Sequence, residues 1–183
     1  MDENKNLTLD EAFALAVKNH KENNLKSAED LYNKVLKMDP NHSNSLNNLG
    51  ILLQGLGDNQ KAIYFLEKAV QVKPSYADAH YNLGSVFQKI NMFQKAKKCF
   101  EKTLKINYNH SLAHLNLGVV LNALGQSEKA MECYLKTIEI DPNNVKAHYN
   151  IANIFNRKDD FQNAIISYEK VIKIDPNYIN ANY

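Results

Sequence analysis

Residues 77–110 read ADAHYNLGSVFQKINMFQKAKKCFEKTLKINYNH, and this stretch decides the fold. Apolar residues recur in two blocks at the three-to-four-residue spacing of a helix with one buried face. The spacing predicts one helix over 78–90 and a second over 93–106, with Asn91 between them. The same pattern returns every 34 residues. Ala28, Ala62, Ala96, Ala130 and Ala164 share one register, and Leu15, Leu49, Leu83, Leu117 and Ile151 share another. Gly50, Gly84 and Gly118 form a third, flanked by Ala16 and Ala152. Pro40, Pro74, Pro142 and Pro176 form a fourth, with Tyr108 in the vacant place. The period divides the chain into a leader at 1–8 and one array of five repeats, 9–42, 43–76, 77–110, 111–144 and 145–178. Residues 179–183 read as the start of a truncated sixth repeat, because Asn180-Ala181-Asn182-Tyr183 matches Asp78-Ala79-His80-Tyr81 in register.

Each repeat reads as an antiparallel helix pair. Asn23, Gly57, Asn91, Gly125 and Asp159 stand between the paired helices. Only residue types that tolerate a left-handed backbone occur there, as a sharp exit from a helix requires. The prolines stop the second helices, since proline disfavours helix at the residue before it. Thr8 with Glu11 has the form of a capping box for the first helix. A 34-residue pair cannot bury its apolar face alone, whereas stacked pairs bury it against their neighbours. Glycine inside a helix costs about 1 kcal/mol relative to alanine, so Gly50, Gly84 and Gly118 imply close approach of the paired helix. Tyr32, Leu66, Phe100, Tyr134 and Tyr168 share the bulky register that fills the remaining space. The expected class is all-α, an α-solenoid of antiparallel helix pairs. Since 179–183 would leave the last helix uncapped, Ile165, Ile172 and their neighbours are expected to be partly bare, as in a fragment of a longer protein.

Composition narrows the function. The 183 residues are 44% hydrophobic, too apolar for a disordered chain. The 22 basic and 20 acidic residues leave a net charge of +2, without the electrostatic footprint of a nucleic-acid or anionic-membrane binder. No apolar run is long enough for membrane insertion. The polar start, Met1-Asp2-Glu3-Asn4-Lys5-Asn6, lacks the form of a secretory signal, so a cytoplasmic location is expected. His80, His114 and His148 recur one repeat apart, too far to share a metal ion at bonds of about 2 Å; their expected role is packing. Cys99 and Cys133 are separated in the same way and are expected to be reduced thiols. No Gly-rich phosphate loop, His-Glu-x-x-His or nucleophile motif is present. The chain therefore reads as non-enzymatic, with no catalytic residues, metal or cofactor.

The chain resembles a tetratricopeptide repeat (TPR) array over nearly its whole length. Leu83-Gly84, Phe87, Ala96, Phe100 and the closing proline or its substitute carry the resemblance. Leu46, His80, His114 and His148 depart from the family, standing where it often has a large aromatic. The resemblance implies a right-handed superhelix whose first helices line a concave side. Repeats reading Ala-His-Tyr-Asn-Leu-Gly, as at 79–84, also resemble the repeat arm of protein O-GlcNAc transferases and bacterial repeat arms joined to glycosyl- or sulfotransferases.

At about 100° per residue, Asp78, Tyr81, Asn82, Ser85, Gln88 and Lys89 fall on one polar arc of the first helix. Asn48, Asn82, Asn116 and Asn150 share a register there, with Ala14 in the first repeat. Gln54, Gln88, Asn122 and Asn156 form a second amide row, with Tyr81, Leu115 and Tyr149 between the rows. A carboxamide offers a donor and an acceptor, matching a peptide unit. Helices packed about 8–10 Å apart would present one amide to roughly every third residue of an extended chain. The resemblance to O-glycosyltransferase arms carries a backbone-reading role onto Asn48, Asn82, Asn116 and Asn150. Solvated surface in a chain with 26 Asn, or bonding of the amides to one another along the stack, are the competing readings. Grip on a C-terminal carboxylate, as in co-chaperone TPR domains, does not fit, because Lys21, Lys89, Lys146 and Arg157 are scattered.

Three functional readings follow. One is a scaffold that binds an extended protein segment in an Asn-rich groove. Another is the substrate-recognition arm of a larger transferase. The third is self-association through the terminal repeats.

Overall fold

The computed structural model describes residues 7–178; most of the leader and the expected start of a sixth repeat lie outside the described residues. Ten α-helices and no strands occur among the described residues. In chain order they are α1 (Leu9–Lys21), α2 (Leu25–Met38), α3 (Ser43–Gly55), α4 (Asn59–Val72), α5 (Ala77–Lys89), α6 (Phe93–Ile106), α7 (Ser111–Ala123), α8 (Ser127–Ile140), α9 (Val145–Arg157) and α10 (Phe161–Ile174), and α1 pairs with α2, α3 with α4, α7 with α8 and α9 with α10. The architecture is an all-α solenoid of helix pairs.

Local chemistry sets the helix ends. Asn23, Gly57, Asn91, Gly125 and Asp159 have φ of 62°, 86°, 59°, 76° and 59°, the left-handed values expected at these turns. Asp39, Lys73, Asn107, Asp141 and Asp175 are extended and close the second helices. Asn107 does so although Tyr108 follows it, so the stop does not need the proline ring. At the front, Glu11 N–H donates to Thr8 Oγ1 and Thr8 N–H donates to the Glu11 carboxylate, completing the capping box. Histidine fills the same capping position later: His42 Nδ1 accepts from Ser45 N–H and His110 Nδ1 from Ala113 N–H, both at 3.2 Å.

The residues cluster into two compact units, divided between Ile90 and Asn91. In the first, α1 packs on α2, α3 on α2 and α4, and α5 on α4. The first helices α1, α3 and α5 also touch in turn, whereas α2 and α4 do not. Within this unit the first helices therefore crowd the inner side of a curve. In the second unit α7 packs on α6 and α8, α9 on α8 and α10, and α7 touches α9.

Small residues permit these contacts. Ala28, Ala62, Ala96 and Ala130 are fully buried, as are the bulky Tyr32, Leu66, Phe100 and Tyr134. A Cβ at Gly50 would lie 2.6 Å from Leu66 Cγ, and one at Gly118 would lie 2.5 Å from Tyr134 Cε1. Each glycine thus marks where a first helix meets the bulky side chain of its own second helix. Ile165 and Ile172 of α10 are 54% and 48% exposed, and Phe161 is also exposed.

The histidine ladder joins repeats. His80, His114 and His148 each place Nε2 2.9–3.0 Å from the carbonyl oxygen six residues earlier, on Pro74, Tyr108 and Pro142. An Nε2–H donor fits each bond. The imidazole thus pins the end of one repeat to the start of the next, a role a larger apolar ring could not fill. Burial pushes the His114 pKa below the usual imidazole value, against the opposing pull of its bond to Tyr108. His114 Nδ1 is buried without a hydrogen-bond partner, so a second proton there would have no acceptor. Burial lowers His20 likewise. An imidazole with a depressed folded-state pKa is protonated first in the unfolded chain. Its stabilisation is full above about pH 6.5 and falls as the pH drops through the folded value. The thermal midpoint is therefore expected to fall on acidification from neutral pH, and less steeply in His20→Gln plus His114→Gln. Equal slopes for the two proteins would refute the assignment.

Candidate functional site

The first helices carry both amide rows, and their packing decides what each amide can do. In the first unit, Asn48 on α3 and Asn82 on α5 are half-buried. Asn47, only 3% exposed, lies between them. Its Nδ2 donates to Asn48 Oδ1 at 3.1 Å, and its Oδ1 accepts from Asn82 Nδ2 at 2.9 Å. Asn48 also bonds the buried Tyr32 phenol, whose oxygen lies 3.4 Å from His20 Nδ1. Desolvation raises the Tyr32 pKa, with the Asn48 bond opposing it, so the phenol stays protonated. Asn82, Asn47, Asn48, Tyr32 and His20 thus form one hydrogen-bonded chain across α5, α3, α2 and α1. Tyr81 and Gln88 are half-buried on the same helix as Asn82. Lys89 Nζ donates to the Gln54 carbonyl at 3.2 Å, a second tie between α5 and α3.

The second unit arranges its row differently. Asn116 and Asn150 are half-buried, Asn122 is half-buried and Asn156 is exposed. Asn122 Oδ1 accepts from Arg157 Nη2 at 2.7 Å and from Ser127 Oγ at 3.3 Å. Arg157 Nε donates to the Asn153 carbonyl, and Asn153 Oδ1 accepts a 2.6 Å bond from the Tyr168 hydroxyl. Tyr149 sits edge-on between the rings of Tyr168 and Tyr178, with centroids 6.0 and 5.5 Å away. Leu115, between the rows, is buried. The inner lining of this unit therefore combines amides, a cation and an aromatic cluster.

Asn47, Asn153 and Arg157 are members of these networks that register matching alone does not select. Three bonds of the inner rows, Asn82 to Asn47, Lys89 to Gln54 and Arg157 to Asn122, join residues 35 apart. The repeat length is 34, so the partners lie one position out of register. Polar pairs at the repeat length plus one are the signal that finds them.

Clefts also occur on the second-helix side. One of 530 Å³ is lined by Leu36, Pro40, Leu46 and Phe65 in the first unit. Another of 600 Å³ is lined by Ile138, Pro142, His148 and Ile174 in the second. They lie away from the amide rows. Among the described residues no group of His, Cys, Asp or Glu could hold a metal ion. Burial pushes the Cys133 thiol up to about 11, which leaves it protonated. No described helix is long and apolar enough to cross a membrane.

Comparison with known proteins adds the family. Models described as TPR repeat or tetratricopeptide repeat match residues 13–42, 31–64, 55–91, 77–107, 120–159 and 145–178. A crystal structure of MamA is 30% identical, with a TM-score of 0.82, and the match covers 92% of this chain and 97% of that one. MamA 41-end from Desulfovibrio magneticus RS-1 is 24% identical over 93% of this chain and 96% of that one, with a TM-score of 0.84. YrrB, a TPR protein with an unusual peptide-binding site, is 23% identical over 94% and 89%, with a TM-score of 0.80. No curated protein matches the chain significantly.

Proposed function

The chain belongs to the tetratricopeptide repeat family, whose arrays act as protein-interaction scaffolds, and we propose that this one holds an extended segment of a partner protein on its first-helix rows. The peptide-binding residues are Asn48, Asn82, Tyr81 and Gln88 in the first unit, and Asn116, Asn150, Asn122, Asn156 and Tyr149 in the second. The observation that supports this reading is the Asn47 bridge. It holds Asn48 and Asn82 in fixed orientations, so little side-chain freedom remains to be lost on binding. Asn82 spends one N–H on Asn47 and keeps the other, together with its carbonyl oxygen, for a peptide unit. Bonding between amides and presentation of amides thus coexist. Arg157 adds selectivity, because its guanidinium is held at a neutral amide and favours a segment with a carboxylate nearby.

Binding that reads main chain tolerates many sequences. In a peptide array, Asn82→Ala plus Asn116→Ala is expected to weaken all bound peptides by about tenfold, the scale of one or two lost hydrogen bonds. The ranking among peptides should hardly change. Binding equal to that of the parent protein would defeat the amide-row reading.

The Ala79-His80-Tyr81-Asn82-Leu83-Gly84 motif favours a second reading, the substrate-recognition arm of a glycosyl- or sulfotransferase. The same row would then guide an acceptor polypeptide to a catalytic domain elsewhere in the protein. A full reading frame without a transferase domain would remove it.

A further inference from the structure

The outer face of the second unit carries two charge stripes of opposite sign in one register. On α6, Lys98, Lys102 and Lys105 are exposed at spacings of four and three residues, so they line one face. None of them makes an ion pair among the described residues. Lys97 turns aside to Glu101 at 3.8 Å. On α8, Glu128, Glu132, Leu135 and Glu139 are exposed at spacings of four, three and four residues. Lys98 and Glu132 occupy the same repeat position, as do Lys105 and Glu139. Successive second helices of this unit therefore point a lysine pair and a glutamate pair outward at the same height.

We propose that this face pairs with the same face of a second copy of the chain. Consider a two-fold axis parallel to the helices and midway between α6 and α8. It lays α6 of each copy over α8 of the other without a shift along the helix. Lys98 then meets Glu132 of the second copy, and Lys105 meets Glu139, each twice in an isologous interface. Leu135, 54% exposed at the centre of the acidic stripe, shares the register of Glu101, whose carboxylate is drawn aside by Lys97, and so meets Glu101 and the neighbouring stem of Lys102. A two-fold of this kind needs equal heights and opposite signs, and the shared register supplies both. The surface uses neither amide row, so the pairing is independent of peptide binding.

Two features set its strength. Glu139 already pairs with Lys136 at 2.8 Å, and Glu128 with Lys158 at 2.7 Å. Both glutamates remain 68% and 74% exposed, so these local pairs are weak competitors. Two 14-residue helices on each side form a small interface, in the class below about 1,200 Å² that gives transient complexes. The dimer is therefore weak and sensitive to salt.

Sedimentation velocity over a concentration series tests the pairing. At low ionic strength the protein is expected to dimerise, and high salt should weaken the dimer by about tenfold or more. Lys98→Glu plus Lys105→Glu should be monomeric, and so should Glu132→Lys plus Glu139→Lys. Mixing the two variants should restore a dimer, because each reversed stripe then meets its complement. Lys98→Ala plus Lys105→Ala, a milder change on the same face, should weaken the parent dimer. A parent protein that stays monomeric at low salt, reversed variants that dimerise alone, or a mixture that stays monomeric would each overturn the proposal.

Discussion

Gly118→Ala is expected to destabilise the protein by about 2 kcal/mol, reversing the usual gain from alanine in a helix. That gain is about 1 kcal/mol. Opposing it, the new Cβ would meet Tyr134 Cε1 at 2.5 Å and Cδ1 at 2.8 Å. Tyr134 is 1% exposed, so its ring has no free space to retreat into. Overpacking of this kind costs about 1–3 kcal/mol, and an immobile aromatic ring lies at the upper end. Urea unfolding of four proteins isolates the contact: parent, Gly118→Ala, Tyr134→Ala and the double variant. In the Tyr134→Ala background the obstacle is gone, so Gly118→Ala should become neutral or stabilising. A Gly118→Ala protein as stable as the parent would show that close approach is not why glycine stands there.

The second large effect is expected at Asn47. Asn47→Ala removes two hydrogen bonds at a site that is 3% exposed. It leaves Asn82 Nδ2 and Asn48 Oδ1 without their present partner. Water reaches these half-buried groups only in part, so the loss should be about 2 kcal/mol. Asn47→Leu should fare no better, because added apolar volume does not satisfy either amide. Peptide affinity should fall along with stability, since Asn48 and Asn82 lose the bridge that orients them. Urea unfolding and the peptide array read the two effects separately. A stability-neutral Asn47→Ala would remove the bridge as a structural element, and unchanged affinity would remove it as a positioning residue.

The helix pairs were legible because their determinants are local and repeated. Asn23, Gly57, Asn91, Gly125 and Asp159 differ in side chain but share a tolerance for positive φ, and all five adopt it. The capping box at Thr8 and Glu11 was legible for the same reason, since it lies within four residues. The histidine bonds were only half legible. A packing role for His80, His114 and His148 follows from their spacing, but the carbonyl each one meets depends on how the chain turns between repeats. The amide rows were legible as positions on a polar arc. Their bonding was not, because helical side chains lean toward the helix N-terminus and tilted neighbours do not meet at equal numbers. Asn47 illustrates the difficulty: sequence places it on the polar arc, yet packing buries it. In the equivalent position of the fourth repeat, Leu115 is buried without needing a partner.

The one-position offset between bonded neighbours bears on how such a chain tolerates rearrangement. Excising residues 43–76 in frame would rejoin helix pairs of unchanged length, with turns and stops intact. Asn82 would then face Phe13 in place of Asn47, and Lys89 would meet the main chain of His20 in place of Gln54. The helix pairs behave as interchangeable cassettes, while the polar lining is bonded across the junctions of the second with the third repeat and of the fourth with the fifth. Duplication or loss of a cassette can therefore preserve the solenoid and still break the amide bonding on which the proposed partner site rests.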